Sequence, residues 1–532
     1  MKTVGCYLTE ALEAASVRHV FGIPGVHNLE LYRGLERSSL HHISARHEQG
    51  LGFMADGYAR VSGRAGVCFT ISGPGLSNIT TALGQAYGDS VPLLVISSQN
   101  RRGEAGSGRG FLHELPDQQA LARAVTAASF AIEEPAALPA ALAQAFARFN
   151  SARPRPVYLE IPLDVQAADA SGLPLPSYVS APPHADAAAL ARAAAALRDA
   201  TRPVIMAGGG AVRAAPQLQR LAEQLDAPLV MTTNARGILP ATHPLALAVS
   251  PSLAPVRSLI AAADVVLAVG TEIGPTDYDL SFQDPFPGPE NLIRIDIEAE
   301  QLSRNAVPRI GLCGDAVETL DALLGHELRS AQSRTESGAT RAARARTQAR
   351  ALLSSRMQRH VALLELMRDA LPGALLVGDS TQLVYAGNLD FAAATPGSWF
   401  NSATGYGTLG YGLPASIGAG LAAPHRPVLC LIGDGGLQFC LGELAVAREL
   451  NSWLALIVWN NHGYGEIRSA MLASAIRPIG VDVEPPQLPA LAAAYGFRHQ
   501  RIESAEALQR ALQEFGRRRQ QLLLELVPEG LE

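Results

Sequence analysis

The chain reads as an α/β protein built from three doubly wound parallel-sheet domains, and three observations lead there. Apolar runs of strand length recur throughout, each followed by a glycine-rich or polar turn and a stretch with helical spacing, as in parallel strands buried on both faces. Two stretches break this alternation and read as linkers: 166–183, rich in Ala, Ser and Pro, and 326–350, polar and dense in Arg and Ser. With 532 residues and 48% hydrophobic content, the chain is long enough for about three domains with full cores.

Cutting at the linkers leaves segments 1–165, 185–325 and 355–532. The first holds strand candidates at 67–72, 93–97 and 157–161, the second at 204–207, 265–269 and 292–295, and the third at 375–377, 428–432 and 454–459. An Ala-rich helix is expected over 187–197, and the second linker could itself form an exposed helix. No short internal repeat is visible.

A net charge of −6 offers no basic footprint for nucleic acid or an anionic membrane. The five cysteines, Cys6, Cys68, Cys313, Cys430 and Cys440, form no CxxC pair, which suits reduced thiols in a cytosolic protein. Neither a basic-then-apolar leader nor an apolar stretch of about 18 residues is present, so the chain is expected to be soluble and cytoplasmic.

The most informative feature is Gly433-Asp434-Gly435 followed, after twenty-four residues, by Asn460-Asn461. Each closes an apolar run, and 437–450 between them has helical length, so both turns fall at the carboxyl ends of adjacent parallel strands, where open α/β sheets bind ligands. One carboxylate, one amide oxygen and close backbone approach suit a hard divalent cation held on a diphosphate. Gly-Asp-Gly alone is also ordinary turn chemistry. Paired with the asparagines at this distance, it resembles the thiamine diphosphate motif.

Further segments extend the resemblance over nearly the whole chain. Phe21-Gly22-Ile23-Pro24-Gly25, Arg46-His47-Glu48-Gln49 leading into Met54-Ala55-Asp56-Gly57-Tyr58-Ala59-Arg60, Ser72-Gly73-Pro74-Gly75 with Asn78, and Gly407-Thr408-Leu409-Gly410-Tyr411-Gly412 resemble the thiamine-diphosphate enzymes that include acetolactate synthase, pyruvate decarboxylase and benzoylformate decarboxylase. The resemblance implies pyrimidine-binding, central and diphosphate-binding domains in that order. It assigns Glu48 to proton exchange with the cofactor's aminopyrimidine ring, work that suits a half-buried carboxylate. It also implies that Leu409 is the apolar wedge under the bent cofactor and that Gly407 offers it a carbonyl. Gly25, Ser72, Asn78, Asp379, Ser380, Gly433, Gly435 and Gly436 would complete the cofactor site, and Asp434, Asn461 and the Gly463 carbonyl would hold Mg²⁺. Because the family builds each site from two subunits, a homodimer, commonly doubled to a homotetramer, is implied. A leucine in a core and a glutamate opening a helix are the ordinary alternatives for Leu409 and Glu48.

Gly208-Gly209-Gly210 follows a strand candidate, but a glycine-rich turn without a full dinucleotide fingerprint is weak evidence of a nucleotide. Some relatives bind FAD in this domain. Here the residues after His243-Pro244-Leu245 depart from the acetolactate synthase pattern, so FAD is possible but disfavoured.

The substrate is read from three places. His462-Gly463-Tyr464-Gly465-Glu466-Ile467-Arg468 replaces the Gln-Gly-Met-Val stretch of acetolactate synthases. In the central domain, Thr271 to Asp279 carries Asp277 and Asp279, and the loop at 113–118 begins with His113-Glu114. Together with Gly25-Val26-His27 these resemble bacterial 5-guanidino-2-oxopentanoate (2-ketoarginine) decarboxylases, which implies a role in arginine catabolism. Glu466, Asp277, Asp279 and Glu114 are therefore expected to form an acidic pocket end for a guanidinium, with His113, and His27 as second candidate, carrying the proton that releases the aldehyde. Pairing of Glu466 with nearby Arg468 is the plain alternative. The rival functions are an acetolactate synthase-type carboligase acting on pyruvate and a cofactor-binding protein without activity.

Overall fold

The computed structural model describes residues 2–531 apart from 179, 279–285, 287 and 329–335. Its described residues form three six-stranded, wholly parallel sheets. The first comprises β1 (His19–Gly22), β2 (His41–Ser44), β3 (Gly66–Thr70), β4 (Leu93–Gln99), β5 (Ala128–Ala131) and β6 (Val157–Pro162), in the order β2-β1-β3-β4-β6-β5. The second comprises β7 (Val204–Ala207), β8 (Leu229–Met231), β9 (Ala246–Leu247), β10 (Val266–Val269), β11 (Leu292–Asp296) and β12 (Ile310–Cys313), in the order β12-β11-β10-β7-β8-β9. The third comprises β13 (Leu375–Gly378), β14 (Trp399–Asn401), β15 (Val428–Gly433), β16 (Leu454–Trp459), β17 (Arg498–Ile502) and β18 (Leu522–Leu526), in the order β14-β13-β15-β16-β18-β17. The fold class is the one expected, and every strand candidate is matched by a strand within a few residues.

The first and third sheets have the same winding, although no sequence repeat announces it. In each, the chain reverses direction across the sheet between its first and third strands, β1 and β3 or β13 and β15. A crevice opens at such a reversal, beyond the carboxyl ends of the strands. The loops that issue there carry His27 and Ser72 in the first domain, and Ser380 and Asp434 in the third.

One hydrophobic core runs through both of these domains, with Phe53, Met54 and Leu83 from the first packed among Leu413, Ile417 and Leu444 from the third. Its axis is the crossing of helices Glu48–Ser62 and Gly412–Ala422. The backbones touch. A Cβ on Gly57 would stand 2.0 Å from the Ala415 carbonyl oxygen, and one on Gly418 would stand 1.9 Å from that of Met54. Only glycine permits this approach at both positions.

Beside the crossing lies a buried ionic network. Arg60 pairs with Asp56 and Asp89 at 2.6 Å each, Tyr411 donates to Asp56 at 2.5 Å, and Thr404 and Gln85 donate to Asp89 at 2.9 and 2.7 Å. Two carboxylates accept from one guanidinium, and three neutral donors help satisfy those carboxylates, as burial of charge requires. The Asp-Gly-Tyr-Ala-Arg segment is thus a joint between domains.

Both linkers lean on a domain. In the first, Tyr178 donates to the Ala11 carbonyl at 2.8 Å and Ala170 to that of Lys2 at 2.7 Å. The second contains helix Gly338–Ala351, whose Ala342, Ala345 and Ala349 are buried in the central domain's core. Its alanines recur at helical spacing and face inward, so this helix belongs to the central domain.

Candidate functional site

The loops after β15 and β16 meet in a corner of oxygens. Asp434 is fully buried; one carboxylate oxygen, Oδ2, accepts the Gly463 N–H at 2.8 Å. Its Oδ1 lies 3.0 Å from Oδ1 of Asn461, which lies 2.8 Å from the Gly463 carbonyl. Oxygens without hydrogens repel at such spacings unless a cation sits among them. Mg²⁺ takes oxygens at about 2.0–2.1 Å in an octahedron, which puts adjacent ligands about 2.8–3.0 Å apart. The corner therefore fits a hard cation of that size, and the three residues are those expected. Gly463 is obligatory: its φ is +131°, and a Cβ there would lie 2.2 Å from the Val481 carbonyl. Burial raises the Asp434 carboxyl above its ordinary range, with the N–H groups of Gly463, Asn461 and Gly435 opposing.

Around this corner the other third-domain residues divide. Ser380 donates to the Thr408 carbonyl at 3.2 Å, as does Ser402 at 2.7 Å, and so they fix the loop carrying exposed Gly407 and half-buried Leu409. Gly433, Gly435 and Gly436 lie at the turn into the short helix Asp434–Leu437. Asp379 is turned inward instead. Its carboxylate accepts the N–H groups of Ser380 and Gly412, at 2.9 and 2.8 Å, and so caps helix Gly412–Ala422. Burial pushes its carboxyl up to about 6 against those donors.

The first domain contributes the candidate proton-handling groups. Glu48 opens its helix half-buried, with Oε2 accepting from Asn78 at 3.0 Å. Gly25 donates to the Asn28 side chain at 2.8 Å, which holds the turn before His27. His27 Nδ1 is 2.6 Å from Ser72 Oγ, and its ring meets the ring of His113 edge-on at 4.9 Å. Burial, then the neighbouring His113, lowers the His27 pKa, while Glu104 opposes. His113 has φ +60° and its carbonyl passes Gly73 so closely that a Cβ there would lie 2.5 Å away. Both histidine candidates and Ser72 thus converge at one crevice.

Among the described residues, the carboxylates expected to form an acidic cluster each have other partners or face solvent. Glu466 is exposed at the start of helix Gly465–Ala473, and Gln382 donates to it at 3.3 Å. Arg468 pairs with Asp482 instead. Asp277 faces inward, accepts the Thr233 N–H at 3.3 Å, and lines a narrow cavity with Arg236, Asn388 and Thr404. Burial lifts its carboxyl to about 6. Glu114 is consumed by its own loop, accepting from Ser107 Oγ and from the N–H groups of Gly108, Gly110 and Phe111. Desolvation, the largest single influence, raises its pKa, but the four donors together outweigh it and leave the carboxyl below its ordinary value. Asp279 lies outside the described residues.

Family models match the chain in three consecutive blocks: the thiamine pyrophosphate enzyme N-terminal binding domain over residues 2–121, the central domain over 190–323, and the C-terminal binding domain over 379–526. The chain belongs to the thiamine pyrophosphate enzymes. It is 46% identical, over 96% of its length and 91% of the relative's, to the "Probable 2-ketoarginine decarboxylase AruI" of Pseudomonas aeruginosa. It is 31% identical to the acetolactate synthase isozyme 1 large subunit of Escherichia coli, over 86% of this chain and 82% of that one. It is 30% identical to a "Probable acetolactate synthase large subunit" of Methanocaldococcus jannaschii, over 99% and 92%. Thiamine-diphosphate dependence and 2-oxo acid chemistry follow from this membership.

In this thiamine pyrophosphate enzyme the glycine triplet of the central domain serves packing. The N–H groups of Gly208, Gly210 and Ala211 donate at 3.0 Å to the carbonyls of Val269, Gly270 and Gly208. A Cβ on Gly208 would lie 2.3 Å from the Gly270 carbonyl oxygen. These amides are spent on the protein, unlike the free amides of a phosphate cradle.

Several residues that touch the candidate site carry no motif in the sequence. Gln118 accepts the Gly73 N–H at 2.8 Å and donates to Glu160 at 3.0 Å, so it anchors the loop beside Ser72. Gln382 touches Asn461 and Glu466. Glu443 reaches the residues before Glu48. Each is a polar group within or beside an apolar run, and that was the available signal.

Proposed function

We propose that the protein decarboxylates 5-guanidino-2-oxopentanoate, with uptake of one proton, to 4-guanidinobutanal and CO₂. The observation that carries the choice of substrate is Glu466: exposed beside the cation corner, with the nearest arginine in sequence diverted to Asp482. A planar guanidinium is its natural partner. The name of the 46% identical relative supports the same reading.

Asp434, Asn461 and the Gly463 carbonyl would hold Mg²⁺ on the cofactor's diphosphate. Bound thiamine diphosphate supplies a nucleophilic carbon and a sink for the electron pair left behind when CO₂ departs. Asn78 Nδ2 donates to Glu48 Oε2, which leaves Oε1 as the carboxylate oxygen for proton exchange with the cofactor's pyrimidine ring. His113 delivers the product's proton, and His27, whose protonation burial and then His113 disfavour, is fixed by Ser72 and orients it. The central domain works without FAD in this reading.

The working unit is a homodimer, or a dimer of dimers, with sites between subunits. Val26, Leu29 and Leu112 are exposed beside the first domain's crevice, and Tyr406, Phe439, Ile467 and Leu472 beside the third's, as expected of surfaces that a second copy covers.

Carboligation of pyruvate is the second reading, favoured by the acetolactate synthase relatives. Replacement of Glu48 by Gln tests the shared chemistry: CO₂ release should fall by about 10²–10⁴-fold with cofactor binding retained. An unchanged rate would remove Glu48 from the mechanism.

A further inference from the structure

The amide of Asn461 can face the cation corner in two ways, and only one is useful. With its oxygen inward it adds a third ligand; with its NH₂ inward it would donate to Asp434 and the Gly463 carbonyl and repel a cation. Seen from the corner alone, the second orientation is the more comfortable one before a cation arrives. The neighbours outside the corner decide otherwise.

Trp459, the last residue of β16, is buried, and its indole N–H donates at 3.0 Å to Gln382 Oε1. An indole N–H is a donor only, so the atom of Gln382 that it meets must be the oxygen. The same oxygen lies 3.2 Å from the amide of Asn461, which must therefore present nitrogen to it. The other end of Gln382 agrees: its NH₂ donates to the Glu466 carboxylate at 3.3 Å. Gly465 leaves room for this arrangement, since a Cβ there would lie 2.5 Å from Asn461 Nδ2.

We infer that Gln382 is a positioning residue, polarised by Trp459 on one side and Glu466 on the other, that locks the Asn461 amide with its oxygen toward the divalent cation. The orientation is set before the cation binds, so none of the cation's binding energy goes into turning the amide. Partners of this kind around a metal ligand typically account for about 10–100-fold in metal affinity. This inference rests on the cation site of the proposed function and is independent of which 2-oxo acid is used.

The test is Mn²⁺ binding, followed by electron paramagnetic resonance in the presence of thiamine diphosphate and without substrate, on the full-length protein. Gln382→Met keeps the bulk and removes the acceptor; Gln382→Glu, made together with Glu466→Gln so that no second carboxylate faces it, keeps an acceptor oxygen for both Trp459 and Asn461. The Met variant should bind Mn²⁺ about 10–100-fold more weakly, while the Glu variant stays near the unmodified protein. Trp459→Phe, which deletes the indole N–H, should weaken binding in the same direction. Unchanged affinity in both Gln382→Met and Trp459→Phe, or equal losses in the Met and Glu variants, would overturn the inference. Failure of the unmodified protein to bind Mn²⁺ would instead strike at the cation site itself.

Discussion

Glu443, in the third domain, accepts the backbone N–H of His47, in the first, at 3.1 Å, with the Arg46 N–H at 3.2 Å on the same carboxylate. His47 is the residue before Glu48, so a buried acid of one domain fixes where the helix that opens with Glu48 begins in the other. The arrangement is mirrored: Gln85 of the first domain accepts from Thr408 Oγ and N, at 3.2 and 3.4 Å, on the loop carrying Leu409. Each domain holds the other's site loop.

Burial pushes the Glu443 carboxyl from 4.5 up to about 7, against the amides of Arg46 and His47 and the Arg46 guanidinium. The folded protein then keeps a proton that the unfolded chain has lost, so this group's contribution is full below pH 4.5 and disappears as pH rises through 7. The loss is on the order of 3 kcal/mol. Melting temperature should fall between pH 5 and 8 in the unmodified protein and fall less in Glu443→Gln. Asp379, raised to about 6, adds a lower window that the substitution leaves intact.

Gly57→Ala and Gly418→Ala should each lower the melting temperature, because the new methyl would meet a carbonyl at about 2 Å. Overpacking of this kind costs about 1–3 kcal/mol or more. Thermal denaturation of the two variants checks it, and melting at the unmodified temperature would contradict the crossing.

His113→Ala should reduce aldehyde release by about 10²-fold or more while thiamine diphosphate binds as before. Steady-state rates with cofactor affinity measured alongside separate the two effects. Full aldehyde release would return His113 to a structural role beside His27.

Glu466→Gln should raise KM for the guanidino acid by at least about tenfold, since truncating one partner of such a charge pair costs about 2–5 kcal/mol. A neutral 2-oxo acid of similar length should lose far less. Equal effects on both would end the electrostatic account of specificity.

The residues that were legible in the sequence sit where strand ends dictate their place. Asp434, Asn461 and Gly463 close apolar strands, and Glu48 follows a short polar turn into a helix, so motif and geometry coincide. The hydrogen-bond partners of Asp277, Glu114 and Asp379 were not legible, because a carboxylate's partner is chosen by the fold. Thr233, the amides of the loop at Gly108 and the start of helix Gly412–Ala422 donate to them, and no motif announces those partners. Gln382 and Glu443 escaped notice for the converse reason, since their partners lie 79 and 396 residues away. The shared winding of the first and third sheets was invisible because topology needs only the order of apolar strands.

The most direct measurement is CO₂ release by the purified protein with thiamine diphosphate and Mg²⁺, comparing 5-guanidino-2-oxopentanoate, pyruvate, benzoylformate and 2-oxoisovalerate, with products identified. The account predicts a strong preference for the guanidino acid, yielding 4-guanidinobutanal. Preference for pyruvate with acetolactate as product would contradict it and move the protein to the carboligase branch.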